Sequence, residues 1–320
     1  MQSEQYIYRI LHLAVPIMLI IVFPLFFLSG PNYYSPRSFQ AFWKLGHIIY
    51  FSLLSYWLYG IFSKKNISII FSFISIFFFS LILGIAIEFF QFLIDNTPRS
   101  IYDILLNQLG VLLTFSFFTK DHLLKNKKIL SCTRIIVIFF LIISLSNLVK
   151  SLIDEYIASS QFPLLSDLET PFELERWIGE SKQIDENVVR HGKKSLRVSL
   201  HNEAHAGTYA DIILLHFPRN WSKYKTVHWS VFNPLEEELT FNCRIHDKYH
   251  KKTGYDTDDR FIKTFVLHHG WNDLSISLAE VKNAPKGRTM DMNHIESLHF
   301  FTKKIPEQQN IYIDYVYLQP

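Results

Sequence analysis

Three pairs of polar residues interrupt the apolar first half of the chain, and the members of each pair are three or four residues apart. The pairs are Lys44 and His47, Glu88 and Gln91, and Asp103 and Asn107. Residues at these spacings share one face of a helix. An ionisable group in lipid costs at least about 2.5–3.5 kcal/mol, so such groups turn inward and find partners. The pairs therefore predict a polar cluster shared by three helices.

Arg99 adds a positive charge to this cluster from the loop "NTPRS". The two carboxylates are expected to pair with Lys44 and Arg99, while the two amide side chains add neutral hydrogen bonds. We predict that the cluster is a binding site. Two other interpretations stay open, because the same groups could only lock the helices together or only contact lipid headgroups.

Five apolar runs carry these residues and are long enough to cross a bilayer, since about 20 helical residues span about 30 Å of hydrocarbon. They cover residues 10–29, 42–62, 67–94, 101–118 and 129–153. Five transmembrane helices place the two ends of the helical half on opposite sides of the membrane.

Lysine and arginine near the span ends predict the orientation, because the cytoplasmic side carries more of them. One side has Arg9, Lys64, Lys65, Lys120, Lys125, Lys127, Lys128 and Arg134; the other has Arg37, Lys44, Arg99 and Lys150. The N-terminus is therefore expected in the cytoplasm and the chain after residue 153 outside it. This orientation puts all three polar pairs within about 10 Å of the outer surface.

The second half of the chain has a different pattern, with short runs that alternate polar and apolar residues. Examples are "SLRVSL", "TVHWSVF", "LTFNCRI", "FIKTFVL", "NDLSISL", "SLHFF" and "IYIDYVYL". This period of two predicts β-strands, and their number predicts an all-β sandwich. The expected fold is an α-helical membrane bundle of five transmembrane helices (1–153), a linker (154–171) and a jelly-roll β-sandwich (172–320).

The segments "FELERW", "HGKKSLRVSL", "NWSKYKTVHWSVFNPLEEELTFNCRIHDKYH", "DRF", "GWNDLSISLAEV" and "RTMDMNHIESLHFF" resemble carbohydrate-binding-module-like jelly rolls of the galactose-binding type. The resemblance implies a glycan ligand or a packing partner. Tryptophan rings could stack on sugars. Trp221 and Trp271 are the better candidates because they lie at turns, whereas Trp229 lies in a strand and is expected in the core, and Trp177 is a further candidate.

The densest polar stretch of this half is "RIHDKYHKKTGYDTDDRF". It offers a ligand or metal site made of His246, Asp247, His250, Asp259 and Arg260. In the alternative interpretation, Asp–Arg contacts only hold the loop.

The resemblance to the jelly rolls also implies a structural calcium between the first and last strands. Glu173, Glu175 and Asp314 would supply its oxygen ligands. No other cofactor is predicted.

The segments "KLGHIIYFSLLSYWL" and "GIAIEFFQFLIDNTPRSIYDILLNQLG" resemble the VanZ-like membrane family. Its pattern is Lys-x-x-His, then Glu-x-x-Gln, Arg, Asp-x-x-x-Asn and Gly. Many members have Asp before the Lys, where this chain has Trp43. The resemblance implies the helical topology and the site positions, and it implies no reaction, because the mechanism of the family is unclear.

A bacterial plasma-membrane protein that binds an envelope component is the predicted function. The expected partners are a membrane lipid or lipid-linked glycan and a cell-envelope polysaccharide, with a role in envelope maintenance or glycopeptide resistance. The net charge of +3 is too small to indicate nucleic acid, and the 2 cysteines fall in unlike halves, which argues against a disulfide between them.

Two other functions stay open. In an intramembrane enzyme acting on a lipid-linked phosphate or glycan, His47 and Glu88 would be acid and base, and Lys44 and Arg99 would hold a phosphate. No nucleophile motif, metal-ligand spacing or nucleotide loop supports this alternative. In the third interpretation the helices only anchor the jelly roll, although one helix would suffice for that.

Overall fold

The chain folds into two compact units, Met1–Val149 and Lys150–Pro320, called the helical unit and the sandwich unit below. The computed structural model describes residues 14–28, 30–95, 100–119, 123, 126–179, 182–199, 209–303 and 310–320. All statements about the structure refer to these residues.

The helical unit contains α1 (Ala14–Phe26), α2 (Arg37–Lys64), α3 (Ile69–Asp95), α4 (Ile101–Phe117) and the larger part of α5 (Lys127–Gln161). Within the described residues, α2, α3 and α5 are long and apolar enough to cross a membrane. The five predicted spans are thus supported for three helices. The 17 residues of α4 span only about 25 Å at 1.5 Å per residue, less than the hydrocarbon thickness.

Large apolar side chains cover the outside of α3 and α5. Phe71, Phe78 and Ile82 of α3 and Ile135 and Phe139 of α5 are each about half exposed or more. Soluble proteins rarely leave such continuous apolar surface in water. These faces are those expected of helices in contact with lipid.

Helices α2 and α4 pack against each other at Gly110. A Cβ atom at this position would lie 2.6 Å from the carbonyl oxygen of Ile48 and 2.9 Å from the amide nitrogen of Ser52. One turn further along, Thr114 Oγ1 donates a hydrogen bond to Ser52 O at 2.9 Å. Because Gly110 has no side chain, α2 and α4 approach closely enough for side chains on either side of it to form hydrogen bonds between the helices.

The sandwich unit consists of two antiparallel sheets. Sheet A has the strand order β3 (Lys182–Asp185), β4 (Ser195–Ser199), β11 (Asn310–Gln319), β6 (Thr226–Asn233) and β9 (Gly270–Ser277), and β1 (Leu164–Ser166) pairs with β11. Sheet B has the order β2 (Trp177–Ile178), β5 (Tyr209–Leu214), β10 (Ile295–Lys303), β7 (Leu239–Asp247) and β8 (Phe261–Leu267). A short helix, α6 (Leu278–Lys282), follows β9. The predicted all-β sandwich is confirmed, and all seven of the predicted runs form strands.

Aromatic rings from both sheets fill the core of the sandwich. Phe300 lies at its centre, with ring centroids 5.1 Å from Trp229, 5.5 Å from Phe241 and 6.1 Å from Trp177. The residues of β6 alternate between this core and the opposite face, as the period of two in the sequence predicts, and those of β11 do so on either side of a register shift between Asp314 and Tyr317.

The segment 154–171, predicted as a linker, is part of the sandwich unit. Residues up to Gln161 continue α5, and β1 adds to sheet A. The reason is a buried ion pair, because Arg176 donates from Nε and Nη2 to Asp154 at 3.0 and 2.8 Å and from Nη1 to Leu165 O at 3.1 Å. Both charged side chains are 1% exposed.

We predict that Arg176→Met lowers the free energy of unfolding of the sandwich unit by about 3–5 kcal/mol, because Asp154 would stay buried without its main counter-charge. Denaturant unfolding is followed by tryptophan fluorescence in a Trp43→Phe, Trp57→Phe background, which leaves only the sandwich tryptophans. As a control, Lys263→Met removes the exposed pair with Glu280 and should cost about 0–1 kcal/mol. Equal losses in the two variants would contradict the prediction.

Candidate functional site

Three of the predicted polar residues meet inside the helical unit. One potential ligand atom from each of His47, Glu88 and Asp103 lies within 4.8 Å of the other two. His47 Nδ1 and Asn107 Oδ1 are 2.8 Å apart, and both side chains are buried. The structure therefore brings α2, α3 and α4 together at the residues that the sequence singled out.

The start of α4 explains why the Asp103 carboxylate points into this cluster. Ser100 caps the helix, and its Oγ accepts from the backbone nitrogen of Asp103 at 3.1 Å. In a capping box, the acidic side chain three residues on would accept from the backbone nitrogen of Ser100. Here Glu88 Oε2 of α3 takes that hydrogen bond at 2.7 Å. Asp103 is thus released from the capping role.

Gly84 of α3 leaves room for the Asn107 side chain in the cluster. A Cβ atom at Gly84 would lie 2.5 Å from Asn107 Nδ2. Asn107 has no exposed surface, and its Nδ2 has no hydrogen-bond partner among the described residues.

Lys44 and Gln91 do not make the contacts within the cluster that the sequence predicts. Lys44 is exposed on α2 and forms no ion pair with Glu88 or Asp103, so the predicted pairing with this lysine is wrong. It lies one turn before His47 on the same helix, and its side chain is exposed. Gln91 donates instead to Phe26 O at 2.8 Å, at the end of α1. Arg99 lies outside the described residues.

A cavity of about 180 Å³ borders the cluster between α1, α2 and α3. Most of its wall is apolar and includes Phe26, Phe42 and Trp43, whereas His47 and Gln91 supply polar groups. Small-molecule sites share this apolar wall with a few polar groups but are larger, at about 300–1,000 Å³, so this cavity has room for only part of a larger ligand.

The sandwich unit carries a second cleft, on the face of sheet A that points away from the core. It has a volume of about 300 Å³. Its walls come from β6, β9, β11 and the turn before β4, and its lining residues are Arg190, His191, His228, Trp229, Ser230, Asp273, Leu274, Ser275, Tyr315 and Tyr317.

A β-bulge in β11 places two tyrosines in this cleft. The register of β11 with β6 shifts between Asp314 and Tyr317, and Tyr315 adopts φ 53°. Such an extra residue changes the direction of the neighbouring side chains. The Tyr315 ring stacks on His191 at 4.3 Å, and the Tyr317 ring stacks on His228 at 4.9 Å.

Hydrogen-bonding groups lie beside these rings. Asp273 accepts from Arg190 Nη2 at 2.8 Å and from Ser230 Oγ at 2.7 Å, and these two bonds lower the pKa of its carboxyl. Asp314 Oδ2 accepts from the backbone nitrogens of Arg190 and His191 at 2.8 and 2.9 Å, which holds the turn in place. Burial raises the pKa of Asp314.

A row of half-buried aromatic side chains continues from the cleft along the same face. Tyr312, Phe232 and Trp271 are register partners on β11, β6 and β9, with adjacent ring centroids 5.9 and 5.4 Å apart. His228 is four residues from Phe232 along β6, so the two rows are roughly 13 Å apart.

The predicted tryptophans divide between core and surface. Trp221 is fully buried and donates from Nε1 to Pro218 O at 3.1 Å, so it presents no ring face, and the prediction of a stacking role is wrong. Trp177 and Trp229 are also buried, because their rings fill the space around Phe300. Trp271 keeps partial exposure in the aromatic row.

The polar loop after β7 is held together by Arg288, which the sequence analysis did not select. Its guanidinium donates to Asp247 Oδ2 at 2.6 Å and to Asp259 Oδ2 at 2.8 Å. Its hydrogen bond lowers the pKa of Asp259. The carboxylates are therefore used inside the loop, as in the alternative interpretation, although Arg288 and not Arg260 supplies the contacts. His246 and His250 are buried, with ring centroids 4.7 Å apart.

The predicted calcium ligands do not assemble. Glu173 accepts from the backbone nitrogens of Asp167 and Leu168 at 2.7 and 2.9 Å and from Thr170 Oγ1 at 2.7 Å, and Asp314 holds the turn before β4. Among the described residues, the group of three suited to a metal is His47, Glu88 and Asp103. Glu173, Glu175 and Asp314 do not form one.

Comparisons with known proteins concern the sandwich only. No family model matches the chain, and no curated protein matches it. The C-terminal half resembles, in fold, the family 11 carbohydrate-binding module from Clostridium thermocellum in complex with a β-1,3-1,4-mixed-linked tetrasaccharide, at 15% identity over 49% of this chain and 94% of that one, with a TM-score of 0.34.

Two further solved structures show the same kind of similarity. An exo-β-agarase matches at 11% identity over 49% of this chain and 24% of its own, with a TM-score of 0.38. The family 30 carbohydrate-binding module of a Clostridium thermocellum cellulosomal cellulase matches at 16% identity over 44% and 83%, with a TM-score of 0.32.

The buried His246 predicts that mild acid destabilises the sandwich unit. Burial, and then the charges of His250 and Arg244, lower the pKa of His246 to about 3. Its stabilising contribution is therefore complete above the unfolded value near 6.5 and is lost as the pH falls from about 6.5 towards 3. We expect His246→Gln to reduce the loss of melting temperature between pH 7 and pH 4.5, measured by tryptophan fluorescence. His268→Gln, at an exposed histidine, should leave it unchanged.

Proposed function

We propose that the sandwich unit binds a carbohydrate in the cleft of sheet A and that the helical unit holds the protein in a membrane. The observation that carries the proposal is the combination of stacked rings and hydrogen-bonding groups in that cleft. Tyr315 and Tyr317 are partly exposed and line the cleft together with the Arg190–Asp273 pair.

The chemistry of this surface suits a sugar. A pyranose ring has an apolar face of C–H groups that packs on an aromatic ring, and its rim of hydroxyls both donates and accepts hydrogen bonds. Asp273 accepts, Arg190 donates, and the tyrosine hydroxyls do both. Both members of the Arg190–Asp273 pair are about half exposed, at 42% and 59%, so a ligand can reach them.

The aromatic row of Tyr312, Phe232 and Trp271 extends the proposed site. Rings in two rows roughly 13 Å apart on one sheet favour a chain of several sugars over a single one. An envelope polysaccharide or the glycan part of a lipid-linked precursor has this form.

A larger groove of about 800 Å³ beside Trp221 is the less suitable surface. Its tryptophan has no exposed area, and Met290, Met292 and Leu278 line it together with Lys225 and Lys282. No stacked pair of rings borders this groove within the described residues.

The helical unit supports a second candidate function, the binding of an amphiphile such as a lipid or lipid-linked glycan. The cavity of about 180 Å³ has an apolar wall with His47 and Gln91 at one side, which suits a molecule with an apolar part and a polar head. The VanZ-like sequence pattern of the helices is a reason to expect a role in the cell envelope.

We predict that Tyr317→Ala weakens glycan binding by the full-length protein in detergent about five- to tenfold, because a stacked aromatic ring contributes about 1–1.4 kcal/mol. Tyr315→Asn should have a similar effect, since Asn tolerates the positive φ of this position and removes only the ring. Binding is measured on a glycan array and by retention on purified cell-wall polysaccharide.

The matched control for these variants is Tyr255→Asn, which removes an exposed tyrosine outside sheet A at a position that also has a positive φ, 63°. It should bind like the wild type. The proposal is wrong if the correctly folded wild type binds no glycan, or if the cleft variants and the control bind equally well.

The orientation proposed from the charge balance is tested with a thiol reagent that does not cross membranes. In a Cys132→Ser background, we expect Lys223→Cys of the sandwich unit to react in intact spheroplasts. Asn126→Cys, before α5, should react only after permeabilisation. Both positions are exposed, and the remaining Cys243 is buried. The reverse pattern would overturn the orientation.

A further inference from the structure

We propose that His47, Glu88 and Asp103 bind a divalent metal ion of the Zn²⁺ or Mn²⁺ type inside the helical unit. The ligands come from three helices, α2, α3 and α4, and one atom of each lies within 4.8 Å of the other two. This inference is independent of glycan binding by the sandwich unit.

Two carboxylate oxygens in the cluster lack a partner among the described residues. They are Glu88 Oε1 and Asp103 Oδ1, and both atoms are buried. Glu88 as a residue is only 4% exposed. Burying a carboxylate oxygen without a hydrogen-bond donor costs free energy, so the environment of these oxygens favours a bound cation.

The second oxygen of Glu88 already has a structural role, which separates helix capping from ion binding. Oε2 accepts from the Ser100 backbone nitrogen at 2.7 Å, and this bond fixes the carboxylate relative to α4. Oε1 of the same group is then held in place and remains available to an ion. Asp103 is positioned in turn by the cap on its own backbone nitrogen.

The contact between His47 and Asn107 has the form of a supporting hydrogen bond at a metal site. When His47 Nδ1 carries the proton and donates to Asn107 Oδ1 at 2.8 Å, Nε2 keeps its lone pair for a metal. Metal-binding histidines usually donate their other ring nitrogen in this way, which fixes the tautomer and the ring orientation. Asn107 is thus a positioning residue.

The donor set indicates the class of ion. One imidazole nitrogen with two carboxylate oxygens suits Zn²⁺ and Mn²⁺, whereas Ca²⁺ and Mg²⁺ prefer oxygen alone. Ligands about 2.1 Å from one ion lie at most about 4.2 Å apart, so the side chains need to close by roughly half an ångström or more. Three protein ligands leave a coordination position for water or a ligand, and the cavity of about 180 Å³ borders His47.

A protein side chain is the alternative source of positive charge. No lysine or arginine of the described residues pairs with Glu88 or Asp103, and Arg99 lies outside them. If Arg99 neutralises the carboxylates, its removal should destabilise the protein and a metal should have little effect. If a metal does so, Arg99→Gln should keep metal binding.

The experiment uses the full-length protein in detergent, with any affinity tag removed and metal stripped by a chelator. Zn²⁺, Mn²⁺ and Mg²⁺ are titrated separately while bound metal is counted by elemental analysis and the melting temperature is recorded. We expect one Zn²⁺ or Mn²⁺ per chain and a rise in melting temperature with either ion but not with Mg²⁺.

Variants assign the site. Glu88→Gln and Asp103→Asn keep the side-chain shape and should reduce bound metal to background, as should His47→Gln. Asn107→Ala should weaken the affinity about 10–100-fold, as expected for a supporting residue. Ser55→Ala is the control, because Ser55 is buried on α2 and is not among the three ligands. It should bind metal like the wild type.

The proposal is overturned if the stripped wild type takes up no Zn²⁺ or Mn²⁺, or if Glu88→Gln and Asp103→Asn bind as much as the wild type. The wild-type titration decides the question even if a variant does not fold. Glycan retention measured on the same samples reports on the sandwich unit, so a failure of one proposal is distinguishable from a failure of the other.

Discussion

Burying a polar group costs free energy unless another polar group replaces the water, and both units of this protein are organised by that constraint. In the sandwich unit, Arg176 is surrounded by Asp154, Leu165 O and the more distant carboxylate of Glu173. This arrangement ties the end of α5 and strand β1 to the start of the sandwich. In the helical unit, hydrogen bonds from His47 to Asn107 and from Ser100 to Glu88 connect three helices. The apolar faces pack around these polar contacts, whose geometry decides which residues meet.

The sequence predicts the elements of this structure better than the partners within it. The period of two is read correctly for all seven strand runs because alternation is a local property of the chain. Spacing on a helix face likewise brings out His47, Glu88, Asp103 and Asn107, since costly polar groups in apolar helices are conspicuous. The predicted ion pair of Lys44 with Glu88 or Asp103 is absent, because the Lys44 side chain is exposed on α2 whereas Glu88 is buried. Ser100 escapes notice, since its role depends on a carboxylate from another helix.

The cleft of the sandwich shows the same limit. Tyr315 and Tyr317 are two residues apart in "YIDYVYL", so alternation places them on one face, and that signal could have been read from the sequence. The bulge that brings Tyr312 to the same face as these two tyrosines could not, because it is a mismatch of register between β11 and β6. Tryptophans are predicted to stack on sugars instead, although their large side chains make them effective core residues. Trp221, Trp229 and Trp177 fill the sandwich, whereas Trp271 stays partly exposed beside smaller rings.

Gly110 relates the membrane environment to the geometry of the cluster. It fixes the closest approach of α2 and α4. Asn107 of α4 lies within one turn of that contact, and so does Ile48 of α2, the residue after His47. Transmembrane helices adapt to a change in bilayer thickness by tilting. A tilt of α2 against α4 about their contact at Gly110 would change the 2.8 Å distance between His47 Nδ1 and Asn107 Oδ1. In the membrane setting proposed above, the thickness of the bilayer would then change the geometry of this cluster.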